Sequence, residues 1–341
     1  MGTRERAVRL LCMLLIFLLL SGCWDRIEIE ERAVILGIAV DLTKENDEKD
    51  EVSHIDEVID APERKMVQVT VQVAVPGRIP LGPGDAGGGS VGGPEEQTVW
   101  ALEVTGHTLE DALANLQQQI SAPLFFGHVR IIVVSEAFAR DGLGTIADLL
   151  RRNSQIRRTS FLVVSKGNAA DLMRAAPELE RVPTMYLLAT IEHAIQLGRL
   201  PRNEIGRFWS NSSKKGQDGF LPYLEVKKKD NVHISGMAVF KDNRMVGTTE
   251  PLEIAIYMAV KGMNPAGYPA YVNVSEKPNE KVVFQATNRK SKIDVQIRNG
   301  IPHFKVRMSI EGNIVEKADQ RILIDDQTIT KIEQNLRENN M

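Results

Sequence analysis

Every residue from position 10 to position 20 is apolar, and the run ends in Ser21-Gly22-Cys23. This run constrains the chain more than any other stretch, because it divides a leader from the part that must fold. As a helix rising 1.5 Å per residue it reaches roughly 17 Å, against about 30 Å of bilayer hydrocarbon. It is short for a permanent span. Arg4, Arg6 and Arg9 precede it with a single acid, Glu5. A basic start, a short apolar middle and small residues at the exit describe a secretory signal peptide over residues 1–22. N-myristoylation is excluded, since Arg6 stands where Ser or Thr is required.

The exit Leu20-Ser21-Gly22-Cys23 resembles the bacterial lipobox. Small side chains at Ser21 and Gly22 let the backbone lie extended in a peptidase cleft, and the Cys23 thiol is the acceptor for a diacylglyceryl group. Cleavage between Gly22 and Cys23 leaves Cys23 as the new N-terminus, where an N-acyl chain completes the lipid. Two acyl chains, at about 0.8 kcal/mol per buried methylene, hold a protein far more firmly than one. The body is then expected on the outer face of a membrane. The competing reading is a chance Cys behind an uncleaved anchor. Trp24 either sits at the membrane interface, where an indole suits the polar boundary, or packs against the first domain.

Cys12 lies inside the apolar run, so Cys23 is the only thiol beyond it. No intrachain disulfide and no Cys-rich zinc site can form there. An exported body must therefore fold on its core alone. With 341 residues, 43% hydrophobic and 26% charged, the chain is long enough for two or three domains. Its 42 basic and 45 acidic residues offer no positive field for a phosphate backbone, so nucleic acid is not an expected partner. Removing residues 1–22 leaves 39 basic against 44 acidic.

Along the body, residues 32–41 read as a buried strand and residues 66–75 alternate valine with Gln, Thr and Ala at the period of a strand with one buried face. The acidic stretch 44–65 suits an exposed excursion. It is not a calcium loop, because no Gly stands sixth from Asp41 or Asp47. The stretch 76–97 contains Gly82-x-Gly84-x-x-Gly87, formally a dinucleotide fingerprint. More Gly and Pro follow where a helix would have to begin, so a linker or hairpin tip is the better reading.

A strand over 97–105 leads to Thr108, a helix cap followed by Glu110 and Asp111 in the first turn. Leu109, Ala112, Leu113, Leu116 and Ile120 form the apolar stripe of that helix. Further strands at 129–134 and 161–164 flank a helix at 147–152. Residues 23–175 thus read as an N-terminal mixed α/β domain with acidic and Gly-rich loops. Strands at 220–226, 232–241 and 244–248 and a helix at 252–261 suggest a small middle domain over 200–265. Strands at 271–275, 281–288, 293–298 and 304–311 with a helix at 327–337 suggest an antiparallel C-terminal domain over 270–341. Ser212-x-x-Lys215 matches the nucleophile pair of penicillin-binding proteins, but the Lys-Thr-Gly that their mechanism needs is nowhere in the chain. The stretch reads as a polar loop.

Six blocks now stand in order: "GCWDRIEI" at 22–29, "VILGIAVD" at 34–41, "LFFGHVRIIVVSEAFARDGL" at 124–143, "LRRNSQIRRTSFLVVSKG" at 150–167, "GMAVFKDNRMVG" at 236–247 and "IEGNIVE" at 310–316. Together they make the chain resemble the C-subunit family of spore germination receptors, Ger(x)C, over nearly all of the mature length. The resemblance implies an α+β chain of three mixed α/β domains in series after a lipoprotein signal peptide. It implies a lipoprotein on the outer face of the spore inner membrane, without catalysis and with no cofactor beyond the lipid on Cys23. Two integral membrane subunits are the implied partners, and the implied output is germination triggered by nutrients such as amino acids or sugars. Two departures stand out. His107 occupies a place where relatives carry Gly, and relatives run on for several tens of residues past the final helix. The third domain is therefore expected to be truncated, with an unpaired sheet edge.

His128, between Gly127 and Arg130, is the most tempting single site residue. With no second ligand at metal spacing it reads as a structural hydrogen-bond donor, with partner contact as the alternative for His128 and Arg130. Arg151, Arg152, Arg157 and Arg158 either meet acidic partner loops or lipid head groups, or form a solvated helix end favoured by the dipole. Two rival classes share the exported body. A solute-binding lipoprotein is opposed by the lack of two similar lobes and by only 5% aromatic residues. A cell-wall hydrolase is opposed by the lack of an assembled nucleophile, metal set or paired-carboxylate motif.

Overall fold

The computed structural model describes residues 27–43, 66–75, 98–175, 180, 182–228, 231–275 and 280–338, together with positions 2, 4 and 13. Cys23, Trp24, the acidic stretch 44–65 and the glycine-rich stretch 76–97 lie outside the described residues, as does nearly all of the leader. No helix among the described residues is long and apolar enough to cross a membrane.

After a short 3-10 turn at Ile29–Glu31 the chain enters β1 (Ala33–Thr43), then β2 (Met66–Ala74) and β3 (Val99–Gly106). Helix α1 (Leu109–Gln119), β4 (Leu124–Phe125) and β5 (Ile131–Ser135) follow, then α2 (Glu136–Asp141), α3 (Gly144–Arg152) and β6 (Phe161–Ser165). Helices α4 (Ala169–Arg174), α5 (Pro183–Gln196) and α6 (Ile205–Ser212) lead to β7 (Phe220–Lys227), β8 (Asn231–Lys241) and β9 (Arg244–Thr248). The C-terminal part comprises α7 (Pro251–Val260), β10 (Pro269–Asn273), β11 (Lys281–Arg298), β12 (Ile301–Lys317) and α8 (Asp326–Glu338). The expected mixed α/β content is observed.

One sheet runs in the order β3-β2-β1-β5-β6-β7-β8-β9, with β4 paired to the start of β1. Strands β1, β5, β6 and β7 are mutually parallel, and antiparallel strands extend both wings. The composition of the central strands explains the layering. All five residues of β5, Ile-Ile-Val-Val-Ser, and of β6, Phe-Leu-Val-Val-Ser, are buried, as befits parallel strands covered on both faces. One face packs on α1, α2, α3 and α6 through Leu116, Phe138, Ile146 and Phe208. The other packs on α4, α5 and α7 through Met173, Leu187, Ile191 and Ile254. The strands of the stretch 200–265 extend this same sheet, because Val164 and Ser165 of β6 pair with Tyr223 and Leu224 of β7.

Local expectations met two corrections. The strands read at 281–288 and 293–298 are one strand, β11, which continues through its polar middle with register shifts at Val283/Phe284 and Ala286/Asn288. The polar loop read around Ser212 begins inside α6, where the Ser212 hydroxyl donates to the Phe208 carbonyl at 3.0 Å.

A second sheet, β10-β11-β12, forms a small core of Val272, Val274, Val282, Ile322 and Ile332 under α8. Strands β11 and β12 turn at Asn299-Gly300, both with positive φ (51° and 77°), the geometry of a tight two-residue hairpin. Among the described residues β12 has no strand on its outer side.

Candidate functional site at the arginine-rich end of the sheet

Because β1, β5, β6 and β7 are parallel, the segments that precede them share one end of the sheet. The singled-out residues of the body gather there. His128 and Arg130 lie just before β5, and Arg157 and Arg158 just before β6. Arg151 and Arg152 close the last turn of α3, where guanidinium charge suits the helix dipole. The Ser160 hydroxyl donates to the Val129 carbonyl at 2.6 Å and the Phe161 amide to the Arg130 carbonyl at 2.9 Å, which seats the two loops side by side. Helix α6 docks on the same ledge: the amides of Ile205 and Gly206 donate to the carbonyls of Ser160 and Arg158 at 2.9 and 3.0 Å.

The side chains there are exposed, with distinct contacts. The Arg151 guanidinium lies 5.2 Å from the Trp209 ring centroid, and Arg32 lies 5.0 Å from that of Phe125. The His128 ring meets Phe125 at 5.6 Å between centroids. Arg152 pairs with Asp148 at 2.8 Å along α3, and Arg130 approaches Glu192 at 3.8 Å. Both pairs are solvent-facing and contribute little to stability. The turn before β1 adds the acids Glu28, Glu30 and Glu31. The end of the sheet therefore presents a ledge of both signs in which planar guanidinium groups predominate, suited to carboxylates and phosphates.

The opposite end carries groups that the sequence reading missed. Asp41, two residues before the end of β1, lies inside the protein at 5% exposure and accepts the amides of Ala169 (2.6 Å) and Ala170 (3.0 Å) at the start of α4. Burial pushes its carboxyl above the ordinary range, against the pull of those two amides and of Ser135. Gln72 bridges α4 and α5, donating to the Met173 carbonyl and accepting from the Thr184 amide at 3.2 Å. An open cleft of about 540 Å³ sits beside these joints, lined by Asp41, Thr43, Gln68, Glu103, Asn168 and Arg174. Arg174 pairs with Glu103 across it. The available signal was an acid closing an otherwise apolar strand, which implies a structural partner for that charge. Among the described residues no group of three or more His, Cys, Asp and Glu side chains converges as a metal site.

Fold and ends together define a mixed α/β protein whose buried charges serve its joints and whose singled-out body residues lie on an exposed ledge. A family model described as the spore germination protein N-terminal domain matches residues 25–226, and one described as spore germination B3/GerAC like, C-terminal, matches residues 235–340. The chain belongs to this spore germination protein family. It is similar to YfkR of Bacillus subtilis, 28% identical over 87% of this chain and 71% of YfkR. It is also similar to spore germination protein KC of the same organism, 25% identical over 89% and 73% of the two chains, and to spore germination protein YndF, 25% identical over 96% and 79%. A crystal structure of the GerBC protein aligns over 88% of this chain and 80% of its own, at 18% identity and a TM-score of 0.45.

Proposed function

We propose that this chain is a lipid-anchored, non-catalytic subunit of a nutrient germinant receptor, held at the outer face of the spore inner membrane by diacylglyceryl and N-acyl groups on Cys23. In that reading it works with two integral membrane subunits and is needed for triggering germination. One observation carries the reading: family similarity begins at residue 25, two positions after the lipobox cysteine, and covers residues 25–226 and 235–340. The leader and the body thus agree on one setting. The arginine-rich ledge supports it further, since β1 starts there, so the lipid on Cys23 would be tied to that end by the short segment 24–32.

Replacing Cys23 with Ala tests the anchor. Fractionation should move the protein out of the membrane, and spores should lose their nutrient response. Full membrane retention of the Cys23→Ala chain would defeat the reading. The cleft beside Arg174 favours a second reading, a solute-binding lipoprotein. Isothermal titration with amino acids and sugars separates the two, because tight binding by this chain alone would select the second.

A further inference from the structure

We propose that the outer half of the β11–β12 hairpin is an interfacial membrane-binding ribbon, which lies flat in the head-group region of an anionic bilayer. The inference goes beyond the Cys23 anchor and does not depend on it.

Register carries the first step. Ile293, Val295 and Ile297 stand opposite Val306, Phe304 and Pro302, and paired residues share a face. The next positions inward on that face of β12 are Met308 and Ile310. Alternation therefore builds one continuous apolar face, and it is open to solvent: Ile297 is 76% exposed, Phe304 66% and Val295 54%. Apolar patches larger than a few hundred Å² mark interaction or membrane surfaces.

The opposite face identifies the occupant. It carries Lys290, Lys292, Arg298, Lys305 and Arg307 against one acid, Asp294, and that acid is bonded to Arg307 at 2.5 Å. The chain as a whole is net negative, at -3. Cations are thus concentrated on the polar side of an element that, among the described residues, exposes a long apolar side. A second copy, or any polypeptide, would cover the apolar face whatever charge stood behind it. A cationic polar face matters when the surface approached is an anionic lipid layer, and it is the pattern of elements that lie in the bilayer interface.

Backbone chemistry fixes the depth. Beyond its root the hairpin is two-stranded among the described residues, so its outer N–H and C=O groups need water or head groups. Such edges cannot enter hydrocarbon, but they are satisfied about 5–10 Å into the head-group boundary. The root is fixed. Arg289 Nη1 donates to the Ala255 carbonyl at 2.8 Å, and the Arg289 amide donates to Asn264 Oδ1 at 2.8 Å. From there the ribbon extends roughly 30 Å to the Asn299-Gly300 turn.

The test uses the full chain reconstituted into phosphatidylcholine vesicles with or without phosphatidylglycerol, carrying brominated acyl chains. Phe304→Trp adds one indole on the apolar face, and subtracting the emission of the unsubstituted chain removes Trp24, Trp100 and Trp209. With anionic vesicles the added emission should shift to the blue and be quenched by bromine. Lys292→Gln with Lys305→Gln should lower the docked-to-undocked ratio about thirtyfold. Emission that stays typical of an indole in water would overturn the proposal. So would a blue shift already present without vesicles, which means a polypeptide cover; if that shift grows with protein concentration, the cover is a second copy. Ile297→Trp gives the same readout from a neighbouring position if the first variant does not fold.

Discussion

The hydroxyl of Tyr223 donates a hydrogen bond of 2.5 Å to the Glu136 carboxylate, joining β7 to the start of α2. Burial opposes ionisation of Glu136, but the bonds from Tyr223 and Arg140 and the charges of Arg140 and Lys166 outweigh it and hold the carboxyl below its ordinary value. Burial first, and then the bond to Glu136, push the Tyr223 phenol well above its own.

Tyr223→Phe should destabilise the fold by about 1 kcal/mol, the modest figure reflecting a partly solvated acceptor. A carboxyl depressed in the folded state contributes stability that is present above its unfolded value of 4.5 and is lost as pH falls through the lower folded value. The gap between wild type and variant in urea unfolding should therefore narrow on acidification below pH 4.5. A gap that is constant with pH would place the effect in packing.

Asp41 obeys the opposite sign. Its folded value is raised above 3.8, so its contribution is complete below that pH and fades as pH rises through the raised value. Asp41→Asn does not titrate, and its stability relative to wild type should rise with pH across that window. Asp41→Ala leaves the buried amides of Ala169 and Ala170 without an acceptor and should cost about 2–3 kcal/mol at any pH. Thermal unfolding from pH 3 upward checks both.

Arg157 and Arg158 have exposed side chains on the ledge before β6. Reversing both to Glu should change unfolding free energy by no more than about 0.5 kcal/mol. Co-purification with membrane partners from spores should nevertheless fall sharply. Unchanged co-purification would assign the ledge to solvent.

A Cβ on Gly267 would collide with the Leu197 carbonyl oxygen, and backbone cannot swing aside as a side chain can. Gly267→Ala should therefore separate the end of α5 from the approach to β10, at about 2–4 kcal/mol. Limited proteolysis should show earlier cleavage around 262–268 than in wild type.

What was readable in the sequence was what neighbours in sequence determine. Thr108 caps α1 by accepting the Asp111 amide at 3.1 Å, as its spacing predicts, and the valine-rich strands lie where their patterns put them. Helix α4 has only six residues, less than two turns, too short for its apolar period to stand out in the sequence. Its start is held by Asp41, 128 positions earlier, which no local window can see. The arginines were visible as a cluster, but their meeting with the His128 loop depends on Ser160 reaching Val129 across 31 positions. The joining of β6 to β7 rests on two residue pairs with three helices between them in the chain. The amphipathic ribbon was hidden because its polar middle interrupts the apolar runs, and only pairing with β12 reveals which residues share a face.

Strand β1 lies between an antiparallel neighbour, β2, and a parallel one, β5. Tension applied through residues 27–32 would therefore load two ladders at once in shear, instead of unzipping an outer strand bond by bond. A body towed from that side keeps its shape under forces that would strip β9 from the far margin.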